Sequence, residues 1–197
     1  MSFVSPRTAK VATPAPQGER YEPAVGFVIT GVMAAGKTTV AELLAQHFAR
    51  SVHLRGDAFR TIIVRGRDPI TPELGDEALR QLDLRQRIAA NVANDYWRDD
   101  FSVVLQDIYV GSALPNVVGR LEITPLYVVV LHPRPDVVAA RERQRIKSGY
   151  GDWDVESLCR SMEDETPRIG LWLDTSELSA EETVEEILRR RLDARVR

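Results

Sequence analysis

A glycine-rich segment in the first quarter of the chain has the residue types and the spacing that bind a phosphate chain. The sequence GVMAAGKTT, residues 31–39, matches the pattern G-x-x-x-x-G-K-S/T at every fixed position. Its two glycines allow the backbone to turn so that N–H groups point inward, toward the phosphates of a nucleotide. In such a loop Lys37 would reach the β- and γ-phosphates of ATP, and the Thr38 hydroxyl would coordinate Mg²⁺. The predicted nucleotide-binding residues are Gly31, Ala34, Ala35, Gly36, Lys37, Thr38 and Thr39.

Two aspartates follow other short apolar segments and carry groups that phosphoryl transfer needs. In HLRGDAFR, residues 53–60, Asp57 is placed to accept the proton of an attacking hydroxyl group. Arg60, one helical turn later, would orient that acceptor or bind a phosphoryl oxygen. The alternative is that Asp57 is the N-cap of the next helix. Asp107, which ends the segment VVLQD, is predicted to organise Mg²⁺ with Thr38, or else to be a turn residue at a strand end.

A basic segment later in the chain predicts a lid. The sequence ARERQRIKSGYGDWD, residues 140–154, places Arg141 and Arg145 one helical turn apart on a shared face. A lid of this kind closes over the triphosphate, and its arginines stabilise the charge on the transferred phosphoryl group. The alternative is a basic helix face that is simply solvated.

These residues need a framework, and the hydrophobic pattern predicts one of alternating strands and helices. Near-continuous apolar runs are typical of strands buried on both faces of a parallel sheet. The predicted strands are 25–30, 51–54, 101–107, 126–132 and 171–175, and the predicted helices are 38–49, 76–98, 136–147 and 179–192. The pattern therefore indicates an α/β fold with a parallel sheet of about five strands.

Two of the predicted helices have specific signals. Helix 76–98 has large side chains at every fourth residue, which predicts an apolar face made of Leu84, Ile88, Val92 and Tyr96. Helix 179–192 opens with a capping box, Ser179 with Glu182. Its predicted buried residues are Val184, Ile187, Leu188 and Leu192.

The bulk composition predicts one globular domain. Of the 197 residues, 44% are hydrophobic, and the net charge is −3 with dispersed basic residues, which argues against a nucleic-acid partner. Residues 1–23 are rich in Pro, Thr and Ala and are predicted to be a flexible leader to a domain that spans 24–197. One cysteine excludes an internal disulfide, and no apolar run is long enough for a membrane helix. We therefore expect a cytoplasmic protein without a membrane partner.

The strand–loop–helix unit, the GD-x-x-R segment at 56–60 and the single strand-end aspartate resemble the small-molecule P-loop kinases. That group includes adenylylsulfate kinase, gluconate kinase, the zeta-toxin sugar-nucleotide kinases and chloramphenicol phosphotransferase. The resemblance implies a P-loop NTPase fold, a three-layer α/β/α sandwich like that of nucleoside monophosphate kinases, with a helical lid. By resemblance to chloramphenicol phosphotransferases, Asp57 is the base for the acceptor hydroxyl. Residues 61–98 match no acceptor motif of these kinases.

The sequence therefore predicts a kinase that uses ATP and Mg²⁺ to phosphorylate a hydroxyl group of a small molecule. Antibiotics, sugars, sugar nucleotides and nucleosides are all acceptor classes that fit, and an antibiotic-modifying role is one option. Two other functions stay open: a regulatory nucleotide-binding ATPase that acts through a protein partner, and a polynucleotide-end kinase. The sequence leaves the oligomeric state open.

Overall fold

Five strands form a single parallel sheet in the computed structural model, which describes residues 23–144 and 153–197. The strands are β1 Gly26–Thr30, β2 Ser51–Arg55, β3 Ser102–Gln106, β4 Leu126–Leu131 and β5 Leu171–Leu173. Their order across the sheet is β2-β3-β1-β4-β5, and all four neighbouring pairs are parallel. The predicted parallel sheet of five strands is therefore confirmed. The predicted leader, apart from its last residue, lies outside the described residues.

Seven helices connect or flank these strands in the described part of the chain. They are α1 Lys37–Gln46, α2 Ala58–Thr61, α3 Asp76–Arg98, α4 Ala113–Arg120, α5 Pro135–Arg143, α6 Val155–Glu165 and α7 Ala180–Arg189. Helix α1 packs against α7, and α3 packs against α4. Because parallel crossovers are right-handed, this strand order places the two pairs on opposite faces of the sheet. The result is a three-layer α/β/α sandwich.

The sheet topology decides where a ligand can bind. Strand β1 lies in the middle of the sheet, between β3 and β4. The chain runs from β1 to β2 on one side of it, and later to β4 and β5 on the other side, so the strand order reverses at β1. In an open parallel sheet, the crevice at such a reversal lies beyond the carboxyl ends of the strands. Strands β1, β3 and β4 are buried along their whole length, which fits their apolar sequences. The polar residues that follow these strands are therefore held at one edge of a rigid sheet.

The predicted apolar face of helix α3 is wrong. Tyr96 is 40% exposed, and Leu84, Ile88 and Val92 are only half-buried. The buried residues of the helix are Ala78, Gln81, Arg85, Gln86, Ala89, Ala90, Ala93 and Asn94. Small alanine side chains let the helix axis approach the sheet closely, and the larger apolar residues then lie on the flank of the contact.

The sequence also missed three helices. Helix α2 is a single turn, and α4 contains Pro115 and Gly119, both of which lower helix propensity. Helix α6 does carry a start signal, because the Asp154 side chain accepts a hydrogen bond from the Ser157 N–H. The sequence does not separate α6 from its surroundings, because the helix directly follows the glycine-containing segment that predicts a lid.

Helix α7 follows its prediction more closely. The capping box of Ser179 and Glu182 is present in both directions. Val184 and Ile187 are buried, but Leu192 lies beyond the helix and is 74% exposed, contrary to the prediction. Within the described residues, no helix combines the length and the apolar character that crossing a bilayer requires.

Candidate active site

The loop between β1 and α1 has the backbone conformation that a phosphate cradle needs. Gly31 has φ +143°, and a Cβ atom there would lie 2.4 Å from the carbonyl oxygen of Leu131. Gly36, directly before α1, has φ +94°, and Ala34 also has a positive φ of 61°. Only glycine fits at position 31, because both the backbone angle and the neighbouring strand exclude a side chain.

Polar groups of the loop and of the first turn of α1 gather at this cradle. The Lys37 ammonium donates a hydrogen bond to the Val32 carbonyl at 2.8 Å, so it lies against the loop. Thr38 and Thr39 are exposed in the first helical turn, where N–H groups have no partner within the helix. The positive end of the helix dipole reinforces these donors, and together they favour an anion.

The ends of β2 and β3 are locked together next to this loop. Arg55 pairs in register with Gln106, and the Gly56 N–H donates to the Gln106 carbonyl at 2.9 Å. A Cβ atom on Gly56 would lie only 2.3 Å from Oδ2 of Asp107. The glycine that precedes Asp57 is therefore required by the neighbouring strand, because any side chain would collide with the Asp107 carboxylate.

Asp57 does not act as a side-chain cap, although it directly precedes α2. Its side chain makes no capping hydrogen bond. Oδ2 accepts a hydrogen bond from Nη2 of Arg55 at 3.1 Å. Oδ1 is shielded from solvent and accepts no hydrogen bond from the described residues. The structure thus shows a carboxylate that is oriented through one oxygen and has acceptor capacity left on the other.

Asp107 lies in a different environment, with only 5% of its surface exposed. Nη2 of Arg85 donates to Oδ1 at 3.1 Å, and the N–H of Ile108 donates to the same oxygen at 2.8 Å. Nε of Arg85 lies 3.1 Å from Oδ2 as an ion pair, without hydrogen-bond geometry. Burial raises the pKa of Asp107, against the opposing effects of Arg85, the Ile108 N–H and Lys37. Asp107 is thus more than a turn residue at a strand end.

The sequence analysis missed Arg85. A charged residue on the buried face of α3 could have been noticed only if that face had been identified as the alanine-rich one.

The donor chemistry at this edge of the sheet fits Mg²⁺, which takes oxygen ligands and keeps several waters. Thr38 would supply a hydroxyl and Asp107 a carboxylate. No cluster of three or more metal-binding side chains occurs in residues 23–144 and 153–197, so phosphate oxygens and water would complete the shell.

A loop between α2 and α3 is tied to α3 by one side chain. Nε2 of Gln81 donates to the Gly66 carbonyl at 2.7 Å, and Oε1 of Gln81 accepts from the Asp68 N–H at 3.0 Å. Nη2 of Arg60 donates to the Asp68 carbonyl at 2.5 Å. The loop is therefore fixed from both sides, and Arg67 lies between its two anchored residues.

The positive charges of Arg67 and Arg85 both act on Arg60, and we call these three residues the arginine cluster. Arg85 is one helical turn beyond Gln81 on α3. The pKa of Arg60 is lowered, first by burial and then by the positive charges of Arg67 and Arg85. Within the described residues, no carboxylate forms an ion pair with Arg60 or Arg67. The cluster therefore carries positive charge that these residues only partly compensate.

The predicted lid is described only at its two ends. Nη2 of Arg141 donates to the Thr175 carbonyl at 2.9 Å, which places Arg141 against the segment that follows β5. Arg145 lies outside the described residues. At the other end, Nε1 of Trp153 donates to the Ile70 carbonyl at 3.4 Å, so the end of the lid segment contacts the loop before α3.

No protein-family model and no curated protein sequence matches the chain. Several solved structures share its fold. A sugar kinase from Janibacter sp. HTCC2649 has a TM-score of 0.63 and 21% identity, over 87% of this chain and 96% of that one. An adenylylsulfate (APS) kinase from Mycobacterium tuberculosis, in complex with AMPPNP and APS, has a TM-score of 0.60 and 18% identity, over 85% and 96% of the two chains. A tunicamycin resistance protein from Deinococcus radiodurans has a TM-score of 0.59 and 16% identity, over 84% and 94%. The predicted fold, a three-layer α/β/α sandwich around a parallel five-stranded sheet, is confirmed, and it is the fold of these proteins.

Proposed function

We propose that the protein is a kinase that transfers the γ-phosphoryl group of ATP to a hydroxyl group of a small molecule. The observation that carries this proposal is the state of Asp57. Its carboxylate lies at the same edge of the sheet as the phosphate loop, does not cap a helix, and has one oxygen, Oδ1, that accepts no hydrogen bond from the described residues. A regulatory ATPase would give such a carboxylate no role.

The phosphate side would hold ATP through the loop of residues 31–39. Lys37 would bind the β- and γ-phosphates, and Thr38 and Asp107 would hold Mg²⁺. The metal, when bound, would neutralise the charge that develops on the phosphates. Arg141 and Arg145 would add positive charge from the lid, which requires Arg141 to leave the Thr175 carbonyl.

The acceptor side would bring the hydroxyl group to Asp57. The hydroxyl oxygen forms a bond to the γ-phosphorus while the bond from phosphorus to the bridging oxygen of ADP breaks. The hydroxyl proton moves to Oδ1 of Asp57, and ADP leaves with the electron pair of the broken bond. Arg55 holds the carboxylate through Oδ2, at 3.1 Å, which leaves Oδ1 as the oxygen to take the proton; because Oδ1 is shielded from solvent, acceptor binding would have to uncover it.

The arginine cluster narrows the acceptor class. Arg60 lies one helical turn after Asp57, Arg67 follows in the loop after α2 and acts electrostatically on Arg60, and guanidinium groups match carboxylate and phosphate oxygens. An acceptor with an anionic group close to its hydroxyl would relieve the repulsion among the arginines. Sugar acids, sugar phosphates and nucleotides therefore fit better than neutral nucleosides or neutral antibiotics. The dispersed charge elsewhere supports no long channel for a polynucleotide.

The test is ADP release from ATP and Mg²⁺ with acceptors in matched pairs, neutral and anionic: glucose with gluconate, ribose with ribose 5-phosphate, and a nucleoside with its monophosphate. We expect the anionic member of at least one pair to stimulate ADP release. Arg67→Gln should raise the KM for that acceptor about tenfold, because one charged contact is lost. Arg65→Gln, an exposed arginine two residues away in the same loop, is the matched control and should not change it.

The outcomes separate the two parts of the proposal. If neutral members are phosphorylated equally well, the kinase assignment stands and the anionic acceptor class is wrong. If ATP turnover is slow, independent of every acceptor and unchanged by Asp57→Asn, the kinase assignment itself is contradicted.

A further inference from the structure

We infer that Arg85 competes with the divalent cation for Asp107 and thereby sets the affinity of the site for the metal. This inference rests on the proposed function, because it takes the Asp107 carboxylate as the metal-organising group. It goes further in assigning a role to an arginine on α3, an element that belongs to the acceptor side of the molecule.

The contacts of Asp107 show that Arg85 already occupies the carboxylate. Its guanidinium reaches both oxygens at 3.1 Å, and Oδ1 also accepts the Ile108 N–H. Both side chains are almost completely buried, with 9% of Arg85 and 5% of Asp107 exposed. A cation that approaches this carboxylate therefore meets an arginine that is not screened by solvent.

Oδ2 is the oxygen that remains for a metal. It accepts no hydrogen bond from the described residues, and its contact with Nε lacks hydrogen-bond geometry. The backbone of Gly56 packs closely against this oxygen without forming a hydrogen bond to it, since a Cβ atom on Gly56 would lie only 2.3 Å away. Oδ2 is nevertheless shielded from solvent. A cation that binds Oδ2 would therefore have to share this buried oxygen with the Arg85 guanidinium, whose Nε lies 3.1 Å away, or displace it.

A purely structural role explains the pair less well. A buried ion pair is weak evidence for stability, because desolvation of both charges offsets their attraction. The rest of the buried face of α3 consists mainly of alanines and neutral polar residues, which pack without such a penalty. The Arg85–Asp107 pair lies instead at the edge of the sheet where the phosphates are expected. The charges of Lys37 and Asp57 also act on Asp107 there.

The experiment measures Mn²⁺ affinity rather than turnover. The protein is saturated with ADP, Mn²⁺ is added, and the free ion is counted from its electron paramagnetic resonance signal. We expect Arg85→Met to bind Mn²⁺ about tenfold more tightly than the wild type, because a neighbouring positive charge is gone. Arg85→Gln removes the same charge but keeps N–H donors, and it serves as the second neutral variant if Arg85→Met does not fold.

Two controls test the cause. Arg85→Lys keeps the charge and should stay within about threefold of the wild type, even though its ammonium cannot bridge both oxygens. Arg87→Met removes an exposed arginine of the same helix, which pairs with Asp83, and should leave the affinity unchanged. The double variant Arg85→Met with Asp107→Asn should lose the gain, since the carboxylate is gone.

Unchanged or weaker Mn²⁺ affinity in both neutral variants would overturn the inference, as would an equal gain in Arg85→Lys. ADP binding in excess EDTA, measured by calorimetry on the same proteins, identifies which claim has failed. If ADP binds normally while Mn²⁺ affinity does not respond to Arg85, only the inference is wrong. If the wild type binds no ADP, the proposed function falls with it.

Discussion

The proposed phosphate side and the proposed acceptor side of this molecule are built in different ways. The phosphate side is one continuous stretch of backbone, in which Gly31, Ala34 and Gly36 have positive φ angles and the next residues start α1. The proposed acceptor side is built by side chains from three separate places, α2, the following loop and α3; Arg60 ties α2 to the loop, and Gln81 ties α3 to it. Local backbone geometry controls the first, and tertiary packing controls the second.

That difference matches what each side has to recognise. Every ATP molecule presents the same phosphates, so a fixed backbone cradle is sufficient for them. An acceptor differs from one kinase to another, and exposed side chains on the loop between α2 and α3, such as Arg67, can be changed without disturbing the sheet. The two sides meet at Asp107, which β3 supplies and Arg85 of α3 contacts.

The largest expected effect comes from removing the charge of the phosphate side. Lys37→Met should lower kcat about 10³-fold, because a positive charge next to the transferred group is lost. The melting temperature should change little, since the Lys37 ammonium makes a 2.8 Å hydrogen bond to the adjacent loop rather than a core contact. Single-turnover kinetics check the expected loss of rate, and a thermal melt checks that the melting temperature is unchanged. A large stability loss would contradict the separation between binding and folding.

Gly56→Ala tests the contact that joins the two sides. The new Cβ atom would lie 2.3 Å from Oδ2 of Asp107, so the end of β2 must move. We expect a loss of about 1–3 kcal/mol in the free energy of unfolding, measured by denaturant titration. Gly119→Ala in α4 is the control, because nothing lies within 4 Å of its added Cβ atom. An equal loss in both variants would mean that close contact with Asp107 is not the cause.

The smallest expected effect is a pH dependence on the acceptor side. Hydrogen bonds from Arg80 and Gln81 lower the pKa of Glu77 from 4.5 to about 2. Because the folded value is below the unfolded one, this stabilisation is complete above pH ~4.5 and is lost as the pH falls toward 2. Glu77→Gln should therefore be slightly less stable than the wild type at neutral pH. Denaturant titrations from pH 6 downward should show the difference shrinking; a constant difference would contradict the assignment.

The same division explains what the sequence could predict. Local signals were sufficient for the phosphate loop, the five strands and the capping box at Ser179, because each depends on residues a few positions apart. They were not sufficient for the pair of Arg85 and Asp107, whose members are 22 residues apart in sequence. The buried face of α3 was mistaken for the same reason. Apolar spacing favoured Leu84 and its neighbours, whereas close packing on the sheet selects alanine.

Asp57 shows how far an interpretation of a single position reaches. The sequence left two roles for it, a base and a helix cap, since aspartate suits both. The structure excludes the side-chain cap, because the side chain makes no capping bond and pairs with Arg55 instead, whereas the role as a base stays a prediction. No residue spacing in the sequence predicts that Asp57 pairs with Arg55. The preceding residue, Gly56, is likewise fixed by a tertiary contact, because a side chain there would collide with the Asp107 carboxylate.

The most direct test of the central claim is a single-turnover assay of phosphoryl transfer with wild type and Asp57→Asn. Each protein is mixed with γ-labelled ATP, Mg²⁺ and the acceptor that stimulates ADP release, and the labelled product is followed by mass spectrometry. We predict that Asp57→Asn binds ADP with wild-type affinity but forms phosphorylated acceptor about 10²- to 10⁴-fold more slowly. Product formation by the variant at the wild-type rate would contradict the account, because the proton of the acceptor hydroxyl would then go elsewhere.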